Sequence, residues 1–333
     1  MTTLLLSHRQ HAERSATILA RARELGHDLE LIALPADPAG RLPDEVCARL
    51  DTAFFSGDLF PEHSRQFFST VRKAPKLGWM QVFNAGVDHP IYTEMMQRGA
   101  RLTTSSGATA EPIAQTCITG ILMLSRNFPR WLAAQPKHAW DPMRTPDFPR
   151  DLAELKVTVV GMGRIGNEIA RLARVLGMPV TGVRRSGRQP GDHADRVVPP
   201  SELDAILPQT DWLVLACPLT DDTRGLITAE RLARLPRGAR IANIARGEIV
   251  DEPALIAALQ SGHLAGAYLD VFAQEPLPPE SPLWDLPNVL VTPHNSAAAA
   301  GNEDRVFAVF LDNLGRFLQG APLVNQQQPA PNT

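Results

Sequence analysis

The chain is poor in the features that mark membrane, secreted or nucleic-acid-binding proteins. No apolar run approaches the roughly 18 residues of a membrane span, and the N-terminal MTTLLLSHRQHAERS holds only three apolar residues in a row before charges begin. A signal peptide needs a longer apolar region, so neither a leader nor a membrane contact is expected. The chain has only three cysteines, Cys47, Cys117 and Cys217, which are scattered and form no CxxC pair. That excludes a disulfide framework and points to a reducing, cytoplasmic setting. A basic excess is missing too, since 33 Lys and Arg stand against 36 Asp and Glu, a net charge of −3. Nucleic-acid binders usually carry a basic excess or stripe, so no nucleic-acid partner is expected. Of nine histidines, eight show no ligand spacing with Cys, Asp or Glu, and no metal site is expected.

What is present is ordinary globular material. Apolar residues make up 44% and charged residues 21% of 333, enough for two domains with their own cores. TTLLLS, LELIAL, TAFFSG and KLGWMQVF read as strands, with the helical run AERSATILARARELG after the first. From Thr109, TAEPIAQTCITGILMLSRN reads as a long apolar-faced helix. The four prolines between Pro136 and Pro149 then require an irregular connection. KVTVVG restarts the strand pattern, followed by DWLVLACP, ARIANIA, LAGAYLDVF and NVLVTP, with helical stretches between most of them. A helix within AGNEDRVFAVFLDNLGRFLQG closes the pattern, and the polar tail VNQQQPAPNT is expected to be disordered. Strands alternating with helices imply a parallel α/β sheet.

One turn carries a specific signal. Gly161, Gly163 and Gly166 have the G-x-G-x-x-G spacing in KVTVVGMGRIGNEIARLARVLGMPVTGV. They follow a β-branched run and open an amphipathic helix that returns to a strand, which is the context a dinucleotide site requires. The first Gly permits the tight turn, the second admits the pyrophosphate, and the third lets helix and strand pack. The second strand of such a unit usually ends in an acid that binds the adenosine ribose. Here Arg184 stands 23 residues after Gly161, and Arg185 and Ser186 follow. Two guanidinium groups and a hydroxyl suit a 2′-phosphate. The expected cofactor is therefore NADP(H), with NAD as the weaker alternative. A solvated turn is the plainer reading of the same residues.

Three ionisable residues stand at the ends of later strand-like runs: Arg246 in IANIARGEIVDEPAL, Glu275 in LDVFAQEPLP and His294 in VLVTPHNSA. Strand C-termini line the ligand crevice of a parallel sheet. An Arg can hold a carboxylate with two parallel bonds. A His can exchange the proton of a carbonyl or hydroxyl. A Glu can orient the imidazole and stabilise its charged form. With a nicotinamide cofactor, the set suggests hydride transfer between NADP(H) and a small 2-oxo acid or 2-hydroxy acid.

The stretches VVGMGRIGNEIA, CPLTDDTRGLI, NIARGEIVDEPAL, AGAYLDVFAQEPLP and LPNVLVTPHNSA, in this order, resemble the D-isomer-specific 2-hydroxyacid dehydrogenase family. VFNAGVDH and TSSGATAEPIAQ extend the resemblance towards the N-terminus, and the non-acidic VRRSG turn is similar to its NADP-using glyoxylate/hydroxypyruvate reductase branch. The resemblance implies two doubly wound parallel-sheet α/β domains. Residues 1–104 with 294–333 would form the substrate domain and 105–293 a Rossmann domain, with the substrate in the cleft between them. It implies Arg246, Glu275 and His294 as the catalytic set. It puts Met162, Gly163, Arg164 and Ile165 at the pyrophosphate, and Cys217, Pro218 and Thr223 on the ribose side. Ile244, Ala245 and Asp270 would hold the nicotinamide, and the N–H groups of Ala85, Gly86 and Val87 the substrate carboxylate. It also implies a homodimer. Glu275 stands where the family's formate dehydrogenases carry Gln. Asp88 reads equally as a turn residue or a functional one. The competing reading is a non-enzymatic NAD(P)-sensing regulator of the same fold.

Overall fold

A computed structural model describes residues 1–87 and 89–328. The chain forms two compact units, Met1–Thr109 with Ala300–Thr333, and Ala110–Ala299. These junctions lie a few residues beyond the expected 104/105 and 293/294, so His294 falls in the second unit, together with the strands that lead into its loop.

The first unit begins with β1 (Thr2–Leu6), α1 (His8–Glu24), β2 (Leu29–Ala33), α2 (Asp44–Cys47) and β3 (Thr52–Phe55). It continues with α3 (Ser64–Arg72), β4 (Trp79–Val82), α4 (Pro90–Gln97) and β5 (Arg101–Thr104). The five strands form one sheet in the order β2-β1-β3-β4-β5, every pair parallel. Both faces are covered, so each strand buries alternate residues in opposite layers. Leu5, Phe55, Met80 and Val82 meet Phe67 and Val71 of α3 and Met95 of α4. Leu4, Leu6, Phe54 and Trp79 meet Ile18 of α1 on the other face, where the closing helix α11 (Asn302–Leu318) brings Phe310 and Leu314. Phe310 stacks on Phe54 with ring centres 4.2 Å apart.

Buried polar groups in this unit satisfy one another. Trp79 Nε1 donates to Thr103 Oγ1 (2.7 Å), which donates to Gln81 Oε1 (2.6 Å), and Asn313 of α11 donates to the same oxygen (3.0 Å). Asn313 also accepts from the Val324 N–H. The start of the expected disordered tail is in fact ordered. Gln326 bridges antiparallel to Thr103, and the Asn325 side chain donates to the carbonyls of Thr104 and Ser106. Polar residues there satisfy the open edge of β5. Residues 329–333 of that tail lie outside the described residues, as does Asp88.

The second unit begins with α5 (Ala110–Ser125), α6 (Phe128–Ala134), β6 (Val157–Val160), α7 (Arg164–Val175), β7 (Val180–Val183) and β8 (Arg196–Val198). Then come α8 (Leu203–Ile206), β9 (Trp212–Leu215), α9 (Ala229–Arg234), β10 (Arg240–Asn243), α10 (Glu252–Gln260), β11 (Gly266–Leu269) and β12 (Val289–Val291). The parallel sheet runs β12-β11-β10-β9-β6-β7-β8. Val157, Val159, Trp212 and Val214 pack under α5 and α7, while Val160, Leu213, Leu215 and Ile241 pack under α9 and α10. The first strand, β6, lies inside the sheet between β7 and β9, so the winding reverses there. A doubly wound sheet binds ligands outside the carboxyl ends of its strands at such a reversal.

Candidate active site

The turn after β6 has three glycines with different reasons to be glycine. Gly161 sits at φ +99°, and a Cβ there would lie 2.5 Å from Cys217 N. A Cβ on Gly166 would lie 1.9 Å from Gly161 O, so protein packing forbids a side chain at both. Gly163 is different. Its φ is −76°, and nothing lies within 4 Å of an added Cβ. The protein itself does not need a glycine there, and the open space is what an approaching phosphate group requires. Gly163 is also the N-cap of α7 and supplies no side-chain cap, so the first helical N–H groups stay available to an anion. The residues present therefore fit a dinucleotide pyrophosphate. Met162 contributes only backbone to this turn, because its side chain is 3% exposed and packs against Gly182. Arg164 is exposed and Ile165 half-buried in the first turn of α7.

The loop after β7 is tightly built. Arg184 is partly buried and donates through Nη1 to both oxygens of Asp192, at 2.8 and 3.1 Å. Arg185 and Ser186 are exposed, and the Ser186 carbonyl accepts from Gln189 Nε2 (3.0 Å). Past β9, Cys217 is buried, and burial pushes its thiol up to about 11, so it stays protonated at neutral pH. Thr223 folds the following turn back on itself, donating to the Pro218 carbonyl (2.7 Å) and accepting from the Thr220 N–H (2.7 Å).

The three candidate catalytic residues all follow C-terminal strand ends of this one sheet. After β10, buried Asn243 accepts from Ala245 N and donates to the Arg246 carbonyl, both at 3.0 Å. It braces the loop holding Ile244, Ala245 and Arg246. The Arg246 guanidinium donates to the Ala245 carbonyl (2.6 Å). The next residue, Gly247, lies so close to Phe272 that a Cβ would meet its carbonyl carbon at 1.8 Å. The Arg246 loop is thereby pressed against the segment leading to Glu275. Glu275 Oε1 accepts from the Phe272 N–H (3.1 Å), and Oε2 meets His294 Nδ1 at 2.7 Å. Nδ1 is the ring nitrogen engaged by the carboxylate, and Nε2 makes no hydrogen bond among the described residues.

His294 adopts φ +50°, a left-handed conformation uncommon for a residue with a side chain. Asp270 holds it there. The Asp270 carbonyl accepts from His294 N (2.9 Å). Its carboxylate, 1% exposed, accepts from Thr292 Oγ1 (2.7 Å), Asn295 N (2.9 Å), Ser296 N (3.1 Å) and the Ser296 hydroxyl. Tyr268 extends the chain through Thr292, at 3.0 Å, and burial pushes its phenol up. Asp270, assigned by resemblance to the nicotinamide, thus also sets the His294 loop. In the first unit, the Asn84 side chain donates to the Gly86 carbonyl and shapes the Ala85–Gly86–Val87 loop.

Three residues that brace the candidate site, Asn243, Ser296 and Asp192, are not singled out by the sequence. Asn243 and Ser296 had a usable signal, a polar residue at or just past the end of an apolar strand. Asp192 had none, since a loop Asp is common at surfaces.

Residues 118–296 match the family model described as D-isomer specific 2-hydroxyacid dehydrogenase, NAD binding domain. The chain is 34% identical over 263 residues to a glyoxylate/hydroxypyruvate reductase B of Yersinia enterocolitica, covering 78% of this chain and 80% of that one. It resembles a solved D-isomer specific 2-hydroxyacid dehydrogenase family protein of Aeromonas salmonicida, with 31% identity, 99% of each chain covered and a TM-score of 0.78. It also resembles an NADPH-dependent glyoxylate/hydroxypyruvate reductase of Sinorhizobium meliloti in complex with NADP and sulfate, with 29% identity, 98% of each chain and a TM-score of 0.76.

Proposed function

The chain belongs to the D-isomer-specific 2-hydroxyacid dehydrogenase family, and from that premise we propose that it is an NADPH-dependent reductase of small 2-oxo acids such as glyoxylate and hydroxypyruvate. The observation that carries the reading is the Glu275–His294 pair at 2.7 Å, on the same sheet edge as the uncapped N-terminus of α7. Relatives named as reductases support turnover over the nucleotide-sensing alternative.

When bound, the reduced nicotinamide supplies a hydride. His294 gives its Nε2 proton to the carbonyl oxygen as that oxygen gains charge, and the 2-hydroxy acid results. Glu275 compensates the imidazolium before transfer and keeps the ring oriented. Arg246 binds the substrate carboxylate, for which a guanidinium has the matching fork. In the first unit, the N–H groups of Ala85, Gly86 and Val87 are a second candidate set for a carboxylate. Gly163 with the first turn of α7 takes the pyrophosphate. Cys217, Pro218 and Thr223 take the ribose side, and Ile244, Ala245 and Asp270 the nicotinamide side. Arg184, Arg185 and Ser186 form the 2′-phosphate loop.

A homodimer is part of the proposal. Its support is a run of exposed large apolar side chains, Phe128, Trp131, Leu132, Trp140 and Phe148, beside a groove of about 750 Å³. Light scattering over a dilution series tests it, and a monomer at assay concentration would contradict it. A cytoplasmic location is supported by three buried, unpaired cysteines. Among the described residues no helix is long and apolar enough to cross a membrane, and no cluster of His, Cys, Asp or Glu could hold a metal ion. The enzymatic reading is tested by the loss of NADPH absorbance with a panel of 2-oxo acids and the matching aldehydes. Turnover of the acids and not of the aldehydes is expected, and no turnover with any of them would overturn it.

A further inference from the structure

We propose that Asp192 is a specificity-determining residue. Its buried carboxylate offsets the charge of Arg184, so that Arg185 supplies most of the loop's net attraction for the 2′-phosphate. This rests on the NADP(H) reading above. The Asp192 side chain is 5% exposed, and both its oxygens lie on Nη1 of Arg184. Oδ2 also accepts from the Gln189 N–H at 2.6 Å, and the Asp192 N–H returns a bond to the Gln189 carbonyl at 3.1 Å. The loop is pinned to α7 as well. Asn167 Nδ2 donates to the Gly191 carbonyl (2.9 Å), and Asn167 Oδ1 accepts from His193 N (2.7 Å). Asp192 therefore cannot swing away when a phosphate arrives.

The consequence is electrostatic. A carboxylate held against a guanidinium cancels most of its field at a distance, and it repels a phosphate of its own sign. Nε and Nη2 of Arg184 make no hydrogen bond among the described residues and can still donate, but as part of one half of a neutral pair. Arg185 differs. Its side chain is 78% exposed, and its nearest acid, Asp222, is 80% exposed and 3.6 Å away. Such a pair is screened by water and easily exchanged for a phosphate. The adjacent arginines thus divide the work: Arg184 gives shape and direct bonds, and Arg185 gives net charge. Asp192 sets the limit on NADP(H) preference.

A charge cycle tests this through kcat/KM for NADPH and for NADH with one saturating 2-oxo acid. Asp192→Asn keeps an acceptor for Gln189 N and removes the negative charge. The NADPH-to-NADH ratio should rise about tenfold, equivalent to about 1.4 kcal/mol. Arg184→Gln strips the carboxylate of its partner and should lower the ratio about tenfold or more. The double variant Arg184→Gln/Asp192→Asn restores a neutral clasp and should return to within about threefold of wild type. It keeps the test alive if a single variant folds poorly. Arg185→Ala should lower the ratio as far as any of them. The rise in Asp192→Asn should shrink with added salt. A ratio that falls or stays constant in Asp192→Asn, with wild-type preference intact, overturns the role of Asp192 and leaves the cofactor reading standing. A wild-type enzyme with no preference for NADPH overturns the cofactor reading itself, and this inference with it.

Discussion

Replacing Gly163 or Gly166 by Ala adds one methyl group in each case, yet the two should fail in opposite ways. At Gly166 the new Cβ would stand 1.9 Å from the Gly161 carbonyl oxygen, a backbone atom that cannot rotate aside. The N-terminus of α7 must then lift from β6, and overpacking of this kind costs about 1–3 kcal/mol or more. For a unit of this size each kcal/mol lowers Tm by about 2–4 °C. At Gly163 the backbone is already in a conformation open to any residue, and no atom lies within 4 Å. The cost to folding should stay within about 0.5 kcal/mol. The methyl would stand where the pyrophosphate approaches, so the Kd for NADPH should rise about tenfold or more, a loss of at least about 1.4 kcal/mol. Thermal unfolding and a fluorescence titration with NADPH read the two effects separately. An unchanged Kd in Gly163→Ala, or a Tm loss equal to that of Gly166→Ala, would show that the space at Gly163 is not kept for the pyrophosphate.

Other substitutions probe the catalytic residues. Arg246→Lys keeps the charge and loses the fork, so KM for 2-oxo acids should rise at least about tenfold with kcat less affected; steady-state kinetics across substrate concentrations decide it. Glu275→Gln keeps a hydrogen-bonding partner for Nδ1 but not its charge, and kcat should fall by about 10²-fold with NADPH binding intact. Asp270→Ala leaves the N–H groups of Asn295 and Ser296 and the Ser296 hydroxyl without their acceptor in a buried site, at about 1–3 kcal/mol for each such group. Tm and kcat should fall together, and a drop in kcat at unchanged Tm would show that Asp270 acts on the cofactor alone.

The architecture was legible where strands are buried on both faces. TTLLL, VTVV and WLVL read as strands because parallel sheets sandwiched between helices need continuous apolar runs. The two strands the sequence does not display, β5 (RLTT) and β8 (RVV), are short edge strands, the first with a single apolar residue and the second only three residues long. They are held by backbone bonds to neighbouring segments, and a linear sequence does not display such bonds. The start of the tail is ordered for a similar reason, since its polar residues satisfy the edge of β5. At the site, Arg246, Glu275 and His294 were legible as ionisable residues interrupting apolar strand ends. Their braces were not. Asp270 was visible as a residue but not as the acceptor of four donors, because those donors lie up to 26 positions away. Asp192 was invisible because nothing in a loop sequence tells a buried carboxylate from a solvated one.

We propose His294 as the proton donor of an NADPH-dependent 2-oxo acid reductase. The most direct test follows NADPH absorbance with glyoxylate for the wild-type enzyme and for His294→Asn, with NADPH affinity titrated on both. Asn tolerates the left-handed backbone found at this position, so the loop should persist. Steady NADPH oxidation by the wild type is expected, together with a fall in kcat of about 10²–10⁴-fold in the variant at nearly unchanged NADPH affinity. Near wild-type turnover by His294→Asn would show that His294 is not the proton donor.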